Sequence, residues 1–241
     1  MRIAMWSGPR NLSTAMMYSF GSRPDCAVWD EPFYAPYLLD TGVDHPLRDE
    51  TLASWPNEVD QVIAQCLGPI PGQKPVFYQK HMTHHMLPDY DLDWTRRCEN
   101  LFLIRHPARV IASYLAKREN PTARDIGFVR QVELFDQIGE ITGRTPAVFD
   151  ADDIRRDPKN SLIAMCAEAG IEFHDSMLSW SAGPRKEDGP WAPHWYGAVH
   201  KSTGFAGPDG PLPEIPPEFE RLLDDSLVEY NKMFTRRSFR Q

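Results

Sequence analysis

The sequence predicts an α/β fold: a single three-layer domain with a central, mainly parallel sheet of about five strands between helices. Three observations lead there. Five short apolar runs recur along the chain, each followed by a polar or charged residue. Most are apolar throughout rather than alternating, which is how strands covered on both faces read. Helical patterns lie between the runs, and that alternation builds a parallel sheet. Finally, 22 prolines in 241 residues are about twice the average share of ~5%, too many for a long helical bundle.

Residues 2–6 read as the first buried strand, 7–11 as a turn and 12–20 as a helix, with Asn11 a candidate cap. Residues 26–29 are the second run, stopped by Asp30-Glu31-Pro32. Val59, Val62, Ile63 and Cys66 mark a helix that Asn57 could cap. Residues 75–78 are the third strand. Residues 101–104 are the clearest one, stopped by Arg105-His106-Pro107, with Val110, Ile111, Tyr114 and Leu115 on the helix after it. Ile126, Val129, Leu134, Ile138 and Ile141 predict one longer helix, and residues 147–149 the fifth strand. Asp157-Pro158 opens a helix with a capping side chain and proline at its first position, and Gly170 stops it. Residues 217–234 predict a terminal helix. The remaining stretch, 179–217, holds all eight prolines from Pro184 to Pro217, together with Trp180, Trp191, Trp195, Tyr196 and Phe205. So many aromatic residues favour an irregular but ordered flap over a linker. The strand–helix rhythm runs to about residue 170, so 1–241 reads as one domain.

The composition is that of a soluble globular chain: 41% apolar and 25% charged residues. No run approaches the ~18 apolar residues of a membrane span, and the N-terminal residues lack a signal-peptide core. Cys26, Cys66, Cys98 and Cys166 are widely spaced, so neither a zinc knuckle nor a disulfide framework is expected, and the cytoplasm is the simplest setting. A net charge of -8 argues against bulk nucleic-acid binding. Taken over the whole chain, it argues against an anionic small ligand too.

The motifs reverse that second inference. Ligands of parallel sheets sit beyond the carboxyl ends of the strands. After the first strand comes Ser7-Gly8-Pro9-Arg10-Asn11-Leu12-Ser13-Thr14, running into a helix. Such a turn offers free N–H groups and the positive end of a helix dipole, which suit phosphate or sulfate. Arg10 adds a cation, and Ser13 and Thr14 add hydroxyls. The second glycine and the lysine of a Walker A loop are missing, which weighs against Mg²⁺-dependent ATP or GTP hydrolysis on this P-loop NTPase-like architecture. After the fourth strand, Arg105 is followed eight residues later by Ser113. A guanidinium fork suits a phosphate, and the serine adds a donor.

Together, Arg10-Asn11-Leu12-Ser13-Thr14 and Arg105 with Ser113 resemble the two nucleotide motifs of the sulfotransferases that use 3'-phosphoadenylyl sulfate (PAPS). The resemblance implies a 5'-phosphosulfate on the first loop, including Gly8, and a 3'-phosphate on Arg105 and Ser113. Glu31, in Asp30-Glu31-Pro32-Phe33-Tyr34, is similar to the proposed base of the polysaccharide sulfotransferases. Tyr78-Gln79-Lys80-His81 is similar to the family's lysine segment after its third strand, with His81 one place early for a base. His200-Lys201-Ser202-Thr203-Gly204-Phe205 loosely resembles the late loop that closes on the 3'-phosphate, through Lys201. The implied catalytic set is Glu31, Lys80, Arg10 and His81, acting on a hydroxyl or amine of a small acceptor, with PAPS as co-substrate and no metal. Glu31 has an alternative reading as an ion-pair partner, Arg10 being one candidate. A nucleotide kinase and a non-catalytic nucleotide-binding protein on the same fold stay open. The acceptor walls are expected from residues 33–56 and 179–215. Residues 236–240 read as a solvated tail.

Overall fold

Five parallel strands, β1 (Arg2–Ser7), β2 (Cys26–Asp30), β3 (Val76–Met82), β4 (Glu99–Ile104) and β5 (Ala147–Asp150), form one sheet in the order β2-β3-β1-β4-β5. A computed structural model describes residues 1–116 and 121–239. The helices are α1 (Ser13–Gly21), α2 (Tyr34–Thr41), α3 (Arg48–Ser54), α4 (Val59–Leu67), α5 (Pro107–Leu115), α6 (Ala123–Ile126), α7 (Phe128–Thr142), α8 (Ala151–Arg156), α9 (Pro158–Glu168), α10 (Ala192–Trp195) and α11 (Glu220–Phe234).

The alternation of β1 side chains sorts these helices into layers. Ile3 and Met5 face a core shared with α1, α8 and α9, through Met17, Phe20, Ile154 and Leu162. Ala4 and Trp6 face the opposite core, shared with α4, α5, α7 and α11, through Val62, Val110, Leu134 and Met233. The central strand β1 lies between β3 and β4. Its helix α1 packs on one face, while α5, which follows β4, packs on the other. Consecutive chain segments therefore part over the carboxyl edge of the sheet, where a crevice must open.

Several local expectations need correction. Asn57 does not cap α4; it donates to the Leu52 carbonyl instead. The single helix expected around Ile126–Ile141 is two, α6 and α7, because Gly127 breaks the run at φ 71°. Residues 34–41 and 48–54, for which the sequence predicts no element, are helical. The expected solvated tail is anchored: the Ser238 N–H donates to the Val148 carbonyl at 2.8 Å, and Arg237 pairs with Asp153 at 3.1 Å. Arg240 lies outside the described residues.

Candidate active site

The turn after β1 enters α1 through two non-glycine residues in left-handed conformation, Arg10 at φ 62° and Leu12 at φ 70°. Such residues cost of order 1–3 kcal/mol each and persist only where their surroundings hold them. Here Asn11, 1% exposed, is pinned between them by its Nδ2, which donates to the Leu103 carbonyl. Asn11 therefore anchors the loop to β4 rather than capping α1, whose N-cap is Leu12. Arg10 projects toward α5, where its Nε donates to Ser113 Oγ at 3.0 Å.

Arg105 leaves the tip of β4 beside it. Its Nη1 donates to the Arg10 carbonyl at 2.9 Å, and its Nη2 to Asp209 at 2.8 Å. Arg10 and Arg105 thus crowd together, and burial and the Arg105 charge both push the Arg10 guanidinium below its ordinary pKa. An anion between them would relieve both effects.

The tips of β2 and β3 carry a different arrangement. Their register sets Asp30 opposite Lys80. Lys80, 1% exposed, donates to Asp30 at 2.9 Å, to Glu31 at 2.6 Å and to the Tyr196 hydroxyl at 2.6 Å. Trp191 Nε1 donates to the same hydroxyl at 2.9 Å, and the Gly189 N–H donates to Asp30 at 3.0 Å. Glu31 sits at φ 43°, its N–H bonded to the Lys80 carbonyl. Burial lifts the Glu31 carboxyl above the usual range even though Lys80 opposes it. Burial would strip Lys80 of its proton, but Asp30 and Glu31 hold its pKa above the ordinary value. The ion pair expected for Glu31 is therefore real, and its partner is Lys80 rather than Arg10.

These elements enclose one cavity of about 330 Å³. Arg10, Asn11, Leu12, Ser13, Thr14, Glu31, Lys80, Arg105 and Ser113 all line it. Its far wall is aromatic, formed by Tyr34 of α2, by His45, His84 and His85, and by Trp195, Tyr196 and Phe205. The Tyr34 and His85 rings stack at 4.4 Å, and burial keeps His84 and His85 neutral, with His84 pushed down to about 3. His85 Nδ1 lies 3.8 Å from the Glu31 carboxylate. Part of the stretch 179–217 forms this wall, through residues 195–206.

Three expected site residues are not brought to the cavity. His81 follows Lys80 on a strand, so it projects to the opposite face. There it stacks on Trp6 at 4.6 Å, bonds Gln79 and is pushed down to about 3 by burial. Gly8 packs against α6, where a Cβ would lie 3.1 Å from the Ile126 carbonyl. Lys201 is exposed on a 3-10 turn beside the wall and does not line the cavity. Sequence reasoning also missed residues that hold the site together. Tyr196, 166 residues from Asp30, leaves no local signal. Asp209 lies in a Gly-Pro-Asp-Gly-Pro turn that reads as solvated loop. Asp30 gave a signal, the register of two strand ends, that a pairing of β2 with β3 would have exposed. Among the described residues, no group of three or more His, Cys, Asp or Glu is placed to hold a metal ion, and no helix is long and apolar enough to cross a membrane.

A family model described as a sulfotransferase domain matches residues 1–237. The chain belongs to the sulfotransferase domain family. Solved sulfotransferase domains share its fold at low sequence identity. The domain of a Synechococcus olefin synthase is 19% identical with a TM-score of 0.57, over 95% of this chain and 94% of that one. The domain from the curacin biosynthetic pathway is 15% identical with a TM-score of 0.57, over 94% and 96%. A sulfotransferase from Alicyclobacillus acidocaldarius is 11% identical with a TM-score of 0.56, over 98% and 97%. Two Arabidopsis thaliana relatives of this sulfotransferase-family chain, branched-chain-amino-acid aminotransferase-like proteins 1 and 2, are 39% and 37% identical over 95% of it. The chain spans about two fifths of their length, 41% and 40%.

Proposed function

We propose that this sulfotransferase-family chain transfers a sulfuryl group from PAPS to a hydroxyl or amine of a small acceptor. The observation that carries the reading is the meeting of the Arg10–Thr14 loop, Arg105 with Ser113, and Lys80 with Glu31 on one cavity. In this reading the loop N–H groups, Arg10, Ser13 and Thr14 hold the 5'-phosphosulfate. Arg105 and Ser113 take the 3'-phosphate. Ser113 Oγ accepts from Arg10, which leaves its own proton to donate. Sulfuryl transfer resembles phosphoryl transfer, so most of the work is positioning and charge stabilisation. The acceptor oxygen or nitrogen forms a bond to sulfur as the bond to the 5'-phosphate breaks. Arg10 and the loop N–H groups lie where the leaving charge would grow. Glu31 takes the acceptor proton: its carboxyl lines the cavity, and burial makes it a stronger base than an exposed glutamate. Lys80 neutralises the Asp30–Glu31 pair and sets the Glu31 orientation. The aromatic wall faces the acceptor.

Thermal unfolding with adenosine 3',5'-bisphosphate tests the reading. At a hundredfold excess over Kd the ligand is expected to add about 2.7 kcal/mol of stability without a metal ion. The shift should shrink sharply in Arg105→Ala. Stabilisation by ATP with Mg²⁺ alone would instead mark a nucleotide kinase and overturn the reading. A bisphosphate that stabilises a chain unable to transfer sulfate to any acceptor class would mark a binding protein.

A further inference from the structure

From Ala206 to Leu212 every residue is exposed except Asp209, which turns inward. Three arginines from three elements meet its carboxylate: Arg105 from the tip of β4 at 2.8 Å, Arg109 of α5 at 3.7 Å, and Arg155 of α8. The same side chains hold the loop backbone. Arg155 Nε donates to the Gly207 carbonyl at 2.9 Å, and Arg109 Nη2 to the Gly210 carbonyl at 2.7 Å. Burial favours a neutral Asp209, but the hydrogen bond and charge of Arg105, with the charges of Arg155 and Arg109, hold its carboxyl below the usual range.

Among the described residues, the cluster's three guanidinium groups face two carboxylates, Asp209 and Asp152, the latter 3.2 Å from Arg109 Nε. Arg10 stands next to it, joined through its carbonyl to Arg105. Arg105 Nε is buried with no hydrogen-bond partner among the described residues. Planar guanidinium forks in this arrangement suit a dianion with several acceptor oxygens better than one carboxylate.

We propose that Arg105, Arg109 and Arg155 form the subsite for the 3'-phosphate of the nucleotide, and that Asp209 is its resident counterion, displaced when the phosphate enters. The inference rests on the PAPS reading above and adds Arg109, Arg155 and Asp209 to it. A phosphate dianion in place of Asp209, together with Asp152, balances the three guanidinium charges. The Gly207 and Gly210 carbonyls keep the loop tethered, so the Asp209 side chain is the part that has to move.

Calorimetric titration of the full chain separates this subsite from the rest of the nucleotide site. The probes are adenosine 3',5'-bisphosphate and adenosine 5'-monophosphate, which differ only in the 3'-phosphate. Removing a competing carboxylate in Asp209→Asn is expected to tighten the bisphosphate about tenfold and leave the monophosphate unchanged, a hydrogen bond to a charged group being worth this much or more. Arg155→Met is expected to weaken the bisphosphate about tenfold, again with no change for the monophosphate, and Arg155→Lys to recover part of the loss. Weaker or unchanged bisphosphate binding in a folded Asp209→Asn would make Asp209 a structural clamp and overturn the proposal. So would equal changes for both nucleotides. Should Asp209→Asn not fold, the Arg155 pair decides alone. A wild-type chain that binds neither nucleotide refutes the donor reading itself. One that binds the bisphosphate while ignoring Asp209 and Arg155 refutes this inference only.

Discussion

At the tip of β3, Lys80 and Asp30 are enclosed with Tyr196, their side chains 1% and 0% exposed, and only Glu31 of the group, at 10%, reaches the cavity. At the tip of β4, Arg105 and Asp209 meet at a similar distance, but each side chain is still 16% exposed. The same pairing chemistry therefore plays two parts. Enclosed charges depend wholly on one another, because a lone buried ion costs several kcal/mol. At the β4 tip water can replace either partner, so a ligand can too. On the reading proposed above, one side of the cavity keeps its charges as they are and the other exchanges its anion.

The contrast can be broken most directly through stability. Lys80→Met leaves Asp30 and Glu31 facing each other without a cation, and is expected to lower unfolding stability by about 3–5 kcal/mol. Arg105→Met should cost about 1 kcal/mol or less, since water reaches Asp209. Denaturant midpoints measure both, and equal losses would erase the distinction between the two tips. Glu31→Gln keeps the shape of the buried group and removes its basicity. Turnover with PAPS should fall by roughly 10²–10⁴ while binding of the bisphosphate, held on the β4 side, is preserved. Full turnover would take Glu31 out of the role.

A separate effect comes from pH. Burial pushes His81 and His84 down to about 3, so both are neutral in the fold. An unfolded chain takes up their protons below about pH 6.5. Their contribution is complete above that pH and is lost as pH falls through the window down to about 3. Each group adds up to about 1.4 kcal/mol per pH unit to that loss. Asp150, pushed up to about 6 mainly by burial, works in the opposite sense below pH 6. His81→Phe keeps a ring against Trp6 and should flatten the decline between pH 6 and 4 by about one such increment. A profile identical to wild type would show that His81 carries a proton in the fold.

The sheet was legible because five apolar runs end in polar turns, and the β4 tip because Arg105 and Ser113 are eight residues apart on a strand end and its helix. Lys80 was legible for the same reason. His81 was not, because the third strand reads as ending at residue 78 whereas β3 continues to Met82, so alternation rather than loop geometry decides where each side chain points. Helix α2 hid behind Pro36 in a short segment that its aromatic packing stabilises more than its propensity does. Tyr196 and Asp209 were invisible for a different reason. Their strand-tip partners, Asp30 and Arg105, lie more than a hundred residues away, and nothing in the sequence around Tyr196 or Asp209 points to them.

The Tyr196 hydroxyl has a consequence for how the protein comes into being. It closes the group formed by Asp30, Glu31 and Lys80 with help from Trp191, so charges placed in the first third of the sequence wait for a phenol in the last fifth. During synthesis, at about 5–20 residues per second, the sheet strands emerge well before that phenol does. Until it arrives, the most tightly enclosed part of the molecule is open to water, and the nascent chain has a nearly complete scaffold with an unfinished centre.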